Sequence, residues 1–339
     1  MAKSSRRSRI RKQYRLGIDL GGTNVMALVV NEKNEIIGEA KKKTKAELGP
    51  EGVVDRIVTT AENALSSANV DPKAVIAAGV GAPGPVNLET GVVVEAPNLP
   101  GWQEIPLAAM LSDRLGMPVF ADNDVNLGTL GVHQMGVGRG TQHMVGIFVG
   151  TGVGGGVIIN GQLHRGSRYS AGEIGHTIIV PNGPICGCGK RGCLESVASR
   201  TAIEREVGAA LAAGHPSILA ELLGPEGKDR LTSGVIKSAL EAGDALMTAV
   251  MSQVQFYLGL LTANLVNVLD PEMIVFGGGV VEALGDDFLE PIRATARTYY
   301  LQQRDADRVR ILPAQLGDYA GGLGGAALAS QMTGRKRRK

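Results

Sequence analysis

The chain has few cysteines, three among 339 residues, and they stand at positions 186, 188 and 193. An odd number of cysteines cannot pair off completely in disulfides, so the sequence argues against an oxidised, secreted scaffold and for a reducing compartment. The first 15 residues lack the apolar stretch of a secretory signal. We therefore expect a cytoplasmic protein. No GxxxxGK[ST] segment occurs either, which excludes a P-loop nucleotide site.

Acidic residues are missing from both ends of the chain. Residues 1–15 contain seven Lys and Arg, residues 335–339 contain five, and neither stretch has an Asp or Glu. Without these twelve, 23 basic residues stand against 33 acidic ones. A body with net negative charge is a poor match for the phosphate backbone of nucleic acid, so we expect no specific nucleic-acid partner. Residues 1–15 and 333–339 are interpreted as solvated, disordered basic tails.

Charge is also absent from the 25 residues Ala245–Leu269. Such a run is long enough to span a membrane. However, it contains seven Ser, Thr, Gln and Asn residues, and its apolar residues recur at helical spacing: Leu246, Val250, Val254, Leu258, Leu261 and Leu265. We predict a long buried helix and no membrane span.

Two segments of the chain begin in the same way, with a strand, a glycine turn and a second strand. The first is LGIDLGGTNVMALVV from Leu16, and the second is HMVGIFVGTGVGGGVII from His143. Predicted helices and further strands follow each opening. The repetition suggests an internally duplicated α/β architecture with a cleft between the halves.

Three glycine-rich turns are candidates for holding phosphate, because glycine lets backbone N–H groups converge on an anion. They are Gly21-Gly22-Thr23-Asn24, Gly150-Thr151-Gly152 and Gly277-Gly278-Gly279. Each could also be an ordinary hairpin turn. The second also fits the GxGxxG pattern of dinucleotide-binding loops, which must open a helix. The β-branched run Val157–Ile159 and the Asn-Gly pair after it predict a hairpin instead.

Two acidic positions follow predicted strands. Asp19 ends the first strand, where its carboxylate could hold Mg²⁺ against nucleotide phosphates or simply cap the turn. Asp122-Asn123-Asp124 follows a short predicted strand. Phosphoryl transfer to a sugar hydroxyl needs a carboxylate that accepts the alcohol proton, and a strand-end Asp beside an Asn would serve. The same triplet is common in plain turns, so both interpretations stay open.

Four candidate metal ligands lie close together in the sequence: His176, Cys186, Cys188 and Cys193. Imidazole and thiolate are the donors of tetrahedral Zn²⁺ sites, and the glycines between the cysteines suit a chain that wraps tightly round a metal. Four protein ligands fill the tetrahedron, so the predicted zinc is structural and does not activate water. It would fix the neighbouring carboxylates of Glu173 and Glu195 beside a pocket.

Taken in order, these motifs resemble the ROK kinases, a bacterial sugar-kinase family with the actin-like ATPase (ribonuclease H-like) fold. The likeness runs from about Leu16 to Met332 and includes GIDLGGTN, GAPGPV, EAPNLPGW, DNDVN, GTGVGGG, GEIGH, CGCGKRGCLE and NLVNVLDPEMIVFGGG. The chain looks most like the zinc-containing glucokinases of this family. The resemblance implies a smaller domain over residues 16–135, completed by about 316–332, and a larger domain over 136–315, which close on ATP and a hexose.

The resemblance also implies a role for each motif. Asp124 would be the general base for the sugar 6-hydroxyl, and the other hydroxyls would be held by the backbone of Gly84 and by Asn123, Glu173, His176 and Glu195. His176 would serve twice, with one ring nitrogen on zinc and the other facing the sugar. Mg²⁺ and the phosphates would be held by Asp19, Gly21, Gly22, Thr23, Asn24, Gly150, Thr151 and Gly152, with Gly277, Gly278 and Gly279 near the adenosine.

The implied activity is that of an ATP-dependent glucokinase that forms a homodimer or homotetramer. Kinases of mannose, N-acetylmannosamine and fructose share much of this motif set, and polyphosphate is an alternative donor. Other family members are sugar-responsive repressors that carry a helix-turn-helix module ahead of the same body. Only 18 residues precede Asp19, so we expect an enzyme and not a regulator.

Overall fold

The computed structural model describes residues 13–96, 98–224 and 231–336. The chain divides into two compact units, Met1–Gly131 with Gly321–Lys339 (unit 1) and Val132–Ala320 (unit 2). The predicted boundaries lay at residues 135/136 and 315/316, within a few residues of these. Residues 1–12 of the predicted N-terminal tail and residues 337–339 of the predicted C-terminal tail lie outside the described residues.

Unit 1 contains a mixed sheet with helices and a small second sheet. Its elements in chain order are β1 (Tyr14–Leu20), β2 (Asn24–Val30), β3 (Ile36–Lys43), α1 (Gly49–Ser67), β4 (Val75–Ala82), β5 (Val86–Asn87), β6 (Val92–Glu95), β7 (Gln103–Ile105), α2 (Leu107–Leu115), β8 (Val119–Asn123) and α3 (Asp124–Met135). The main sheet has the order β3-β2-β1-β4-β8, and β5-β6-β7 form the small one.

The chain passes from unit 1 into unit 2 within α3. Unit 2 then contains β9 (Met144–Val149), β10 (Val153–Ile159), β11 (Gln162–His164), α4 (Glu195–Ala198), α5 (Arg200–Ala212), α6 (Leu219–Leu222), α7 (Ser233–Glu241), α8 (Ala245–Leu269), β12 (Met273–Gly277), α9 (Gly279–Leu284), α10 (Asp286–Thr298) and β13 (Arg310–Pro313). The last helix, α11 (Tyr319–Lys336), returns the chain to unit 1.

The two main sheets have the same topology. In unit 1, β1 pairs antiparallel with β2 and parallel with β4, while β2 pairs antiparallel with β3 and β4 parallel with β8. Unit 2 repeats this pattern in the order β11-β10-β9-β12-β13, with an antiparallel hairpin followed by parallel partners. The duplication suggested by the two glycine-turned hairpins therefore extends over five strands in each unit.

Local sequence explains the principal elements of unit 1. In β1, Leu16, Ile18 and Leu20 are fully buried, because helices cover the sheet that this central strand belongs to. At the edge, β3 alternates partly buried with exposed residues, as one solvated face requires. Helix α1 begins with a proline in its first turn and buries one apolar face against β2 and β3.

Helix α11 lies unusually close to the sheet of unit 1. A Cβ added at Gly17 of β1 would lie 1.8 Å from the carbonyl oxygen of Gly322, and one at Gly79 of β4 would lie 2.0 Å from that of Gly325. Only glycine allows helix and strand backbones to approach this closely. The glycines of the segment YAGGLGGAALAS are thus packing residues that complete unit 1.

The long uncharged helix has the bounds that its sequence predicts, Ala245–Leu269. By length and composition it could cross a membrane. Ten of its residues are buried, including Met251, Val254, Leu258 and Leu261, and they join the hydrophobic core of unit 2. The helix packs chiefly against α10, with α4, α5 and α7 also in contact. Five of its seven polar residues are exposed, whereas Gln255 and Thr262 are buried and hydrogen-bonded to backbone carbonyl oxygens.

The predicted N-terminal tail is wrong for Tyr14 and Arg15, because β1 begins at Tyr14. Arg15 pairs with Val30 in the β1–β2 register, and its buried guanidinium donates a hydrogen bond to the carbonyl oxygen of Asn31. Burial lowers the pKa of Arg15. At the other end, α11 continues to Lys336, four residues beyond the predicted stop at Met332. Basic composition alone does not mark where a strand begins or a helix ends.

Candidate functional site

Acidic side chains of unit 1 gather where three parallel strands end. Gly81 of β4 lies opposite Asp19 of β1 on one side and opposite Asp122 of β8 on the other. Adjacent strands are about 4.8 Å apart, so the backbones of the two aspartates are about 10 Å apart. The carboxyl ends of parallel strands are where open α/β sheets bind ligands.

The side chain of Asn123 links Asp124 to Gly84. Its Nδ2 donates hydrogen bonds to Oδ1 of Asp124 at 3.0 Å and to the carbonyl oxygen of Gly84 at 3.1 Å. The backbone N–H of Val125 also donates to Oδ1 of Asp124, at 2.9 Å. Two donors on one oxygen fix the plane of the carboxylate. The half-buried Asp124 is therefore held as a general base needs to be.

Helix capping explains why DNDVN adopts this arrangement. Oδ1 of Asn123 accepts a hydrogen bond from the backbone N–H of Asn126 at 3.0 Å, which caps α3. Asp124 then occupies the first turn, where the helix dipole favours a negative charge. The buried carboxylate of Asp122 accepts hydrogen bonds from the backbone of Asn123 and the side chain of Asn126. The triplet Asp122-Asn123-Asp124 therefore contains both the end of β8 and the first residue of α3.

Gly84 has a conformation that requires glycine. Its φ is 79°, and a Cβ added there would lie 1.9 Å from the carbonyl oxygen of Glu95. The backbone of GAPGP therefore packs directly against the end of β6. This packing positions Gly84 so that its carbonyl oxygen accepts the hydrogen bond from Nδ2 of Asn123.

The first glycine turn presents backbone N–H groups. The N–H of Gly21 donates to the carbonyl oxygen of Asn24 at 2.9 Å, and Thr44 binds the carbonyl oxygens of Gly21 and Thr23 through its hydroxyl and its N–H. Within the described part of the chain, the N–H groups of Gly22 and Thr23 have no protein acceptor. Consecutive N–H groups of this kind suit an anion.

Asp19 lies between this turn and helix α11. A Cβ added at Gly321 would lie 2.6 Å from Cγ of Asp19, so the carboxyl group packs against the helix backbone. A side chain at position 321 would displace the carboxylate. Asp19 thus has a fixed position at the strand end, as a carboxylate that holds a cation through oxygen needs.

The second glycine turn, in unit 2, has its carbonyl oxygens turned towards α5. The carbonyl oxygen of Gly150 accepts from the N–H of Arg200 at 2.9 Å, and that of Thr151 accepts from the hydroxyl of Thr201 at 2.8 Å. Among the described residues, no acceptor binds the N–H groups of Thr151 and Gly152. The two glycine turns therefore offer the same kind of paired donors in their respective units.

The third glycine turn lies beside the second. Gly278 has a φ of 102°, and a Cβ there would lie 2.2 Å from the carbonyl oxygen of Val149 at the end of β9. One turn further on, burial raises the pKa of Glu282, and the charge of Asp318 raises it further.

The four predicted zinc ligands converge in unit 2. Their donor atoms all lie within 4.8 Å of one another. Nδ1 of His176 is 3.6 Å from Sγ of Cys186, and Sγ of Cys188 is 3.7 Å from Sγ of Cys193. Zn–S bonds of about 2.3 Å and Zn–N bonds of about 2.0 Å in a tetrahedron put two sulfurs about 3.8 Å apart and sulfur about 3.5 Å from nitrogen. The geometry fits zinc and is far too wide for a disulfide.

Burial disfavours the charged thiolate form of the cysteines in this cluster unless a cation is bound. It raises the pKa of Cys186 to about 12 and also raises the pKa of Cys193. The exposed Cys188 differs, because the backbone N–H of Lys190 lowers the pKa of its thiol. A divalent cation stabilises coordinated thiolates, so it would offset the cost of burying them. The donor set therefore matches a structural zinc site.

Two predicted sugar-binding residues lie close to the cluster, Glu195 through its carboxylate and Glu173 through its backbone. Oε1 of Glu195 lies 3.5 Å from Sγ of Cys186, and Oε2 accepts a hydrogen bond from the N–H of Val153 at 3.0 Å. Glu173 precedes the short 3₁₀ turn that ends at His176, and its carbonyl oxygen accepts the N–H of His176. Because Nδ1 of His176 faces the cysteines, Nε2 points away from the cluster.

The structure brings the predicted residues together as two groups. Unit 1 assembles Gly84, Asn123 and Asp124, with Asp19 at the same sheet edge. Unit 2 assembles the zinc ligands with Glu195 and, through Val153, the second glycine turn. Sequence reasoning missed Thr44 and Arg200, which bind the first and second turns. Neither lies in a motif, and only the fold brings them to turns that are distant in sequence.

Comparison with known proteins gives a consistent result. The sequence profile of the ROK family matches residues 15–332. A protein named glucokinase from Halalkalibacterium halodurans is 38% identical over 320 residues, 94% of this chain and 96% of that protein. A protein named putative xylose repressor from Caldicellulosiruptor sp. is 33% identical over 316 residues, 92% of this chain and 77% of the repressor.

A solved structure shows the same likeness in three dimensions. It is described as a ROK family glucokinase from Streptomyces griseus in complex with glucose and AMPPNP, and it is 35% identical. The TM-score is 0.80, with 94% of this chain and 99% of that chain covered. Because 94% of this chain is covered, the similarity extends over both units.

Proposed function

The chain belongs to the ROK family, with the actin-like ATPase fold in both units, and we propose that it is an ATP-dependent glucokinase. The reaction is transfer of the γ-phosphoryl group of ATP to the 6-hydroxyl of glucose. The observation that carries the proposal is the Asp124 carboxylate, oriented by Asn123 and Val125 at the end of a sheet. The similarity to a glucokinase over 94% of the chain supports glucose as the sugar.

Asp124 is the proposed general base. It accepts the proton of the 6-hydroxyl while that oxygen forms a bond to the γ-phosphorus and the bond to the ADP oxygen breaks. Asn123 holds the carboxylate in position. The backbone of Gly84 and the side chains of Asn123, Glu173, His176 and Glu195 bind the other hydroxyls, in line with the resemblance. A base of this kind contributes about 10²- to 10⁴-fold to the rate.

The nucleotide is assigned to the glycine turns. The N–H groups of Gly22, Thr23, Thr151 and Gly152 bind phosphate oxygens, and Gly277–Gly279 lies near the adenosine. Asp19 would hold Mg²⁺, which neutralises phosphate charge when it is bound. Zinc at His176 and the three cysteines has a structural role. Bound there, it would hold the segment that carries Glu173 and Glu195 and would take no part in the chemistry.

An ADP-release assay tests the proposal. The purified chain is assayed with glucose, mannose, N-acetylmannosamine and fructose, each with ATP as donor. Parallel reactions with polyphosphate are followed by sugar-phosphate formation, because polyphosphate releases no ADP. We expect glucose with ATP to give the highest kcat/KM. A higher kcat/KM with another hexose would assign that hexose as the substrate instead of glucose and would leave the kinase assignment in place. Neither ADP nor sugar phosphate formed with any of the sugars would contradict the kinase assignment.

The second candidate is a non-catalytic, sugar-responsive regulator. The observation that favours it is the 33% identity to a protein named putative xylose repressor over most of this chain. A regulator would bind a sugar without turnover. Calorimetric titration with the same four sugars and with xylose distinguishes the two candidates, since binding without ADP release supports the regulator and turnover excludes it.

A further inference from the structure

Arg200 is a cation at an electrostatically unfavourable place. It is the first residue of α5, which Ser199 caps by accepting the N–H of Ala202 at 3.1 Å. The N-terminus of a helix carries partial positive charge, so a basic side chain is disfavoured there. The nearest acid, Glu204, lies 3.8 Å from Nε of Arg200, and the Arg200 side chain is 24% exposed. Local conflicts of this kind are typical of functional positions.

The guanidinium of Arg200 reaches the second glycine turn. Its Nη2 donates a hydrogen bond to Oγ1 of Thr151 at 2.9 Å, and its backbone N–H binds the carbonyl oxygen of Gly150. Within the described residues, no acceptor lies within hydrogen-bond distance of Nη1. The guanidinium is thus fixed beside the two N–H groups of Thr151 and Gly152 and retains a donor for a further acceptor.

The Arg200 guanidinium thus lies beside two backbone N–H groups that already suit an anion. The turn supplies two N–H groups, and Arg200 adds a permanent positive charge with a planar set of donors that matches phosphate oxygens. A neutral ligand would leave the positive charge that faces the turn without an anionic partner other than Glu204. An anion would satisfy the turn and the arginine together.

We propose that Arg200 binds a phosphate oxygen of the donor nucleotide and positions the phosphate chain on the Gly150–Gly152 turn. This inference rests on the proposed function, because it assumes that the turn holds a nucleotide. It adds a side chain to a site otherwise made of backbone N–H groups. The residue acts in binding, since proton transfer is assigned to Asp124.

Nucleotide binding without hexose tests the role of Arg200. Dissociation constants for ATP, ADP and adenosine are measured by calorimetry for the wild type and for Arg200→Ala, Arg200→Lys and Arg297→Ala. We expect Arg200→Ala to weaken ATP and ADP by about 10- to 100-fold, the range of a charged hydrogen bond. Adenosine affinity should not change. Arg200→Lys should lose less, because it keeps the charge and loses the planar donors.

Arg297→Ala is the matched control, because it removes an arginine of unit 2 that pairs with Asp307 and touches none of the glycine turns. The inference is overturned if Arg200→Ala binds ATP as tightly as the wild type. It is also overturned if adenosine affinity falls in proportion, since that result indicates a structural role. Arg200→Lys keeps the test decisive should the alanine variant fail to fold.

The outcomes separate this inference from the proposed function. A wild type that phosphorylates glucose while Arg200→Ala keeps its ATP affinity contradicts the inference alone. A wild type that binds ATP through Arg200 but releases ADP with none of the sugars contradicts the proposed function alone. A wild type that binds no nucleotide overturns both.

Discussion

Glu195 and Val153 are joined by a hydrogen bond of 3.0 Å from the backbone N–H of Val153 to Oε2 of the carboxylate. Val153 is the first residue of β10, directly after the second glycine turn, and the other oxygen of Glu195 lies beside Cys186. One carboxylate therefore connects the zinc cluster to the turn assigned to phosphate. A change to the metal site or to the turn should therefore alter the position of the Glu195 carboxylate.

Gly152→Ala tests the position of Glu195. A Cβ there would lie 2.2 Å from Oε2 of Glu195, the far end of a flexible side chain, so the carboxylate should move while the fold remains. Loss of one charged hydrogen bond between Glu195 and glucose predicts a roughly tenfold weaker glucose affinity. Calorimetry without nucleotide measures it. In Gly150→Ala the added Cβ meets nothing within 4 Å, so it is the control. Unchanged glucose affinity in Gly152→Ala would remove Glu195 from the sugar site.

Asp124→Asn tests the general base. The amide oxygen of the new side chain can still accept hydrogen bonds from Asn123 and Val125, so the geometry should persist. We expect glucose affinity within an order of magnitude of the wild type and a fall in kcat of about 10²- to 10⁴-fold. Calorimetry and steady-state kinetics measure the two quantities. Turnover near the wild-type value would show that another group takes the proton.

Cys188→Ser tests the zinc assignment. Cys188 is the exposed member of the cluster, so serine replaces it without opening a cavity in the core. We expect elemental analysis to find one zinc per wild-type chain and far less in the variant, with weaker glucose binding in parallel. Removal of the metal from the wild type by a chelator should give the same loss. A full zinc content in the variant would count against the site.

Asp244 provides a stability test that depends on pH. Burial alone would raise its pKa, but hydrogen bonds from the N–H groups of Met247 and Ile218 outweigh this effect and hold the pKa below its usual value. The folded state thus favours the carboxylate, so its stabilisation is present above about pH 4 and is lost as pH falls further.

Asp244→Ala should therefore cost about 1–2 kcal/mol at neutral pH, because α8 loses its N-terminal cap. The difference in Tm between the wild type and the variant should narrow as the pH is lowered below about 4. Melting curves across pH 3 to 7 measure it. A Tm difference that widens on acidification would contradict a lowered pKa for Asp244 in the folded state.

Gly17→Ala tests the close approach of α11. The new methyl would meet the carbonyl oxygen of Gly322, which belongs to a helix backbone and cannot turn aside. Overpacking of this kind costs on the order of 1–3 kcal/mol or more. In Gly208→Ala, on α5, the methyl meets nothing within 4 Å, and helix propensity predicts equal or higher stability. Similar Tm values for the two variants would show that α11 adjusts more easily than the glycine contacts indicate.

Strong local signals explain what the sequence predicts well. The uncharged helix 245–269 is bounded by Asp244, which caps it, and by Asp270, which adopts a left-handed conformation. The zinc ligands are predicted because thiols and imidazole occur so close together that few folds could separate them. Both glycine-turned hairpins follow from β-branched strands on either side of a turn.

Contacts between residues far apart in the chain explain what the sequence misses. Nothing near Thr44 signals that it binds the turn at Gly21, and nothing near Arg200 points to Thr151, 49 residues away. Arg15 is misassigned because its charge resembles the basic residues before it, although the guanidinium is buried and hydrogen-bonded. Such contacts depend on the order of strands in a sheet, which local periodicity does not contain.

The return of α11 to unit 1 also has a consequence for the order in which the chain is made. Ribosomes release β1 and β4 early, but Gly322 and Gly325 emerge only after all of Val132–Ala320. The glycine-lined face of β1 and β4 therefore stays uncovered until α11 has left the ribosome. Premature termination before Tyr319 would leave that face open to chaperones and proteases.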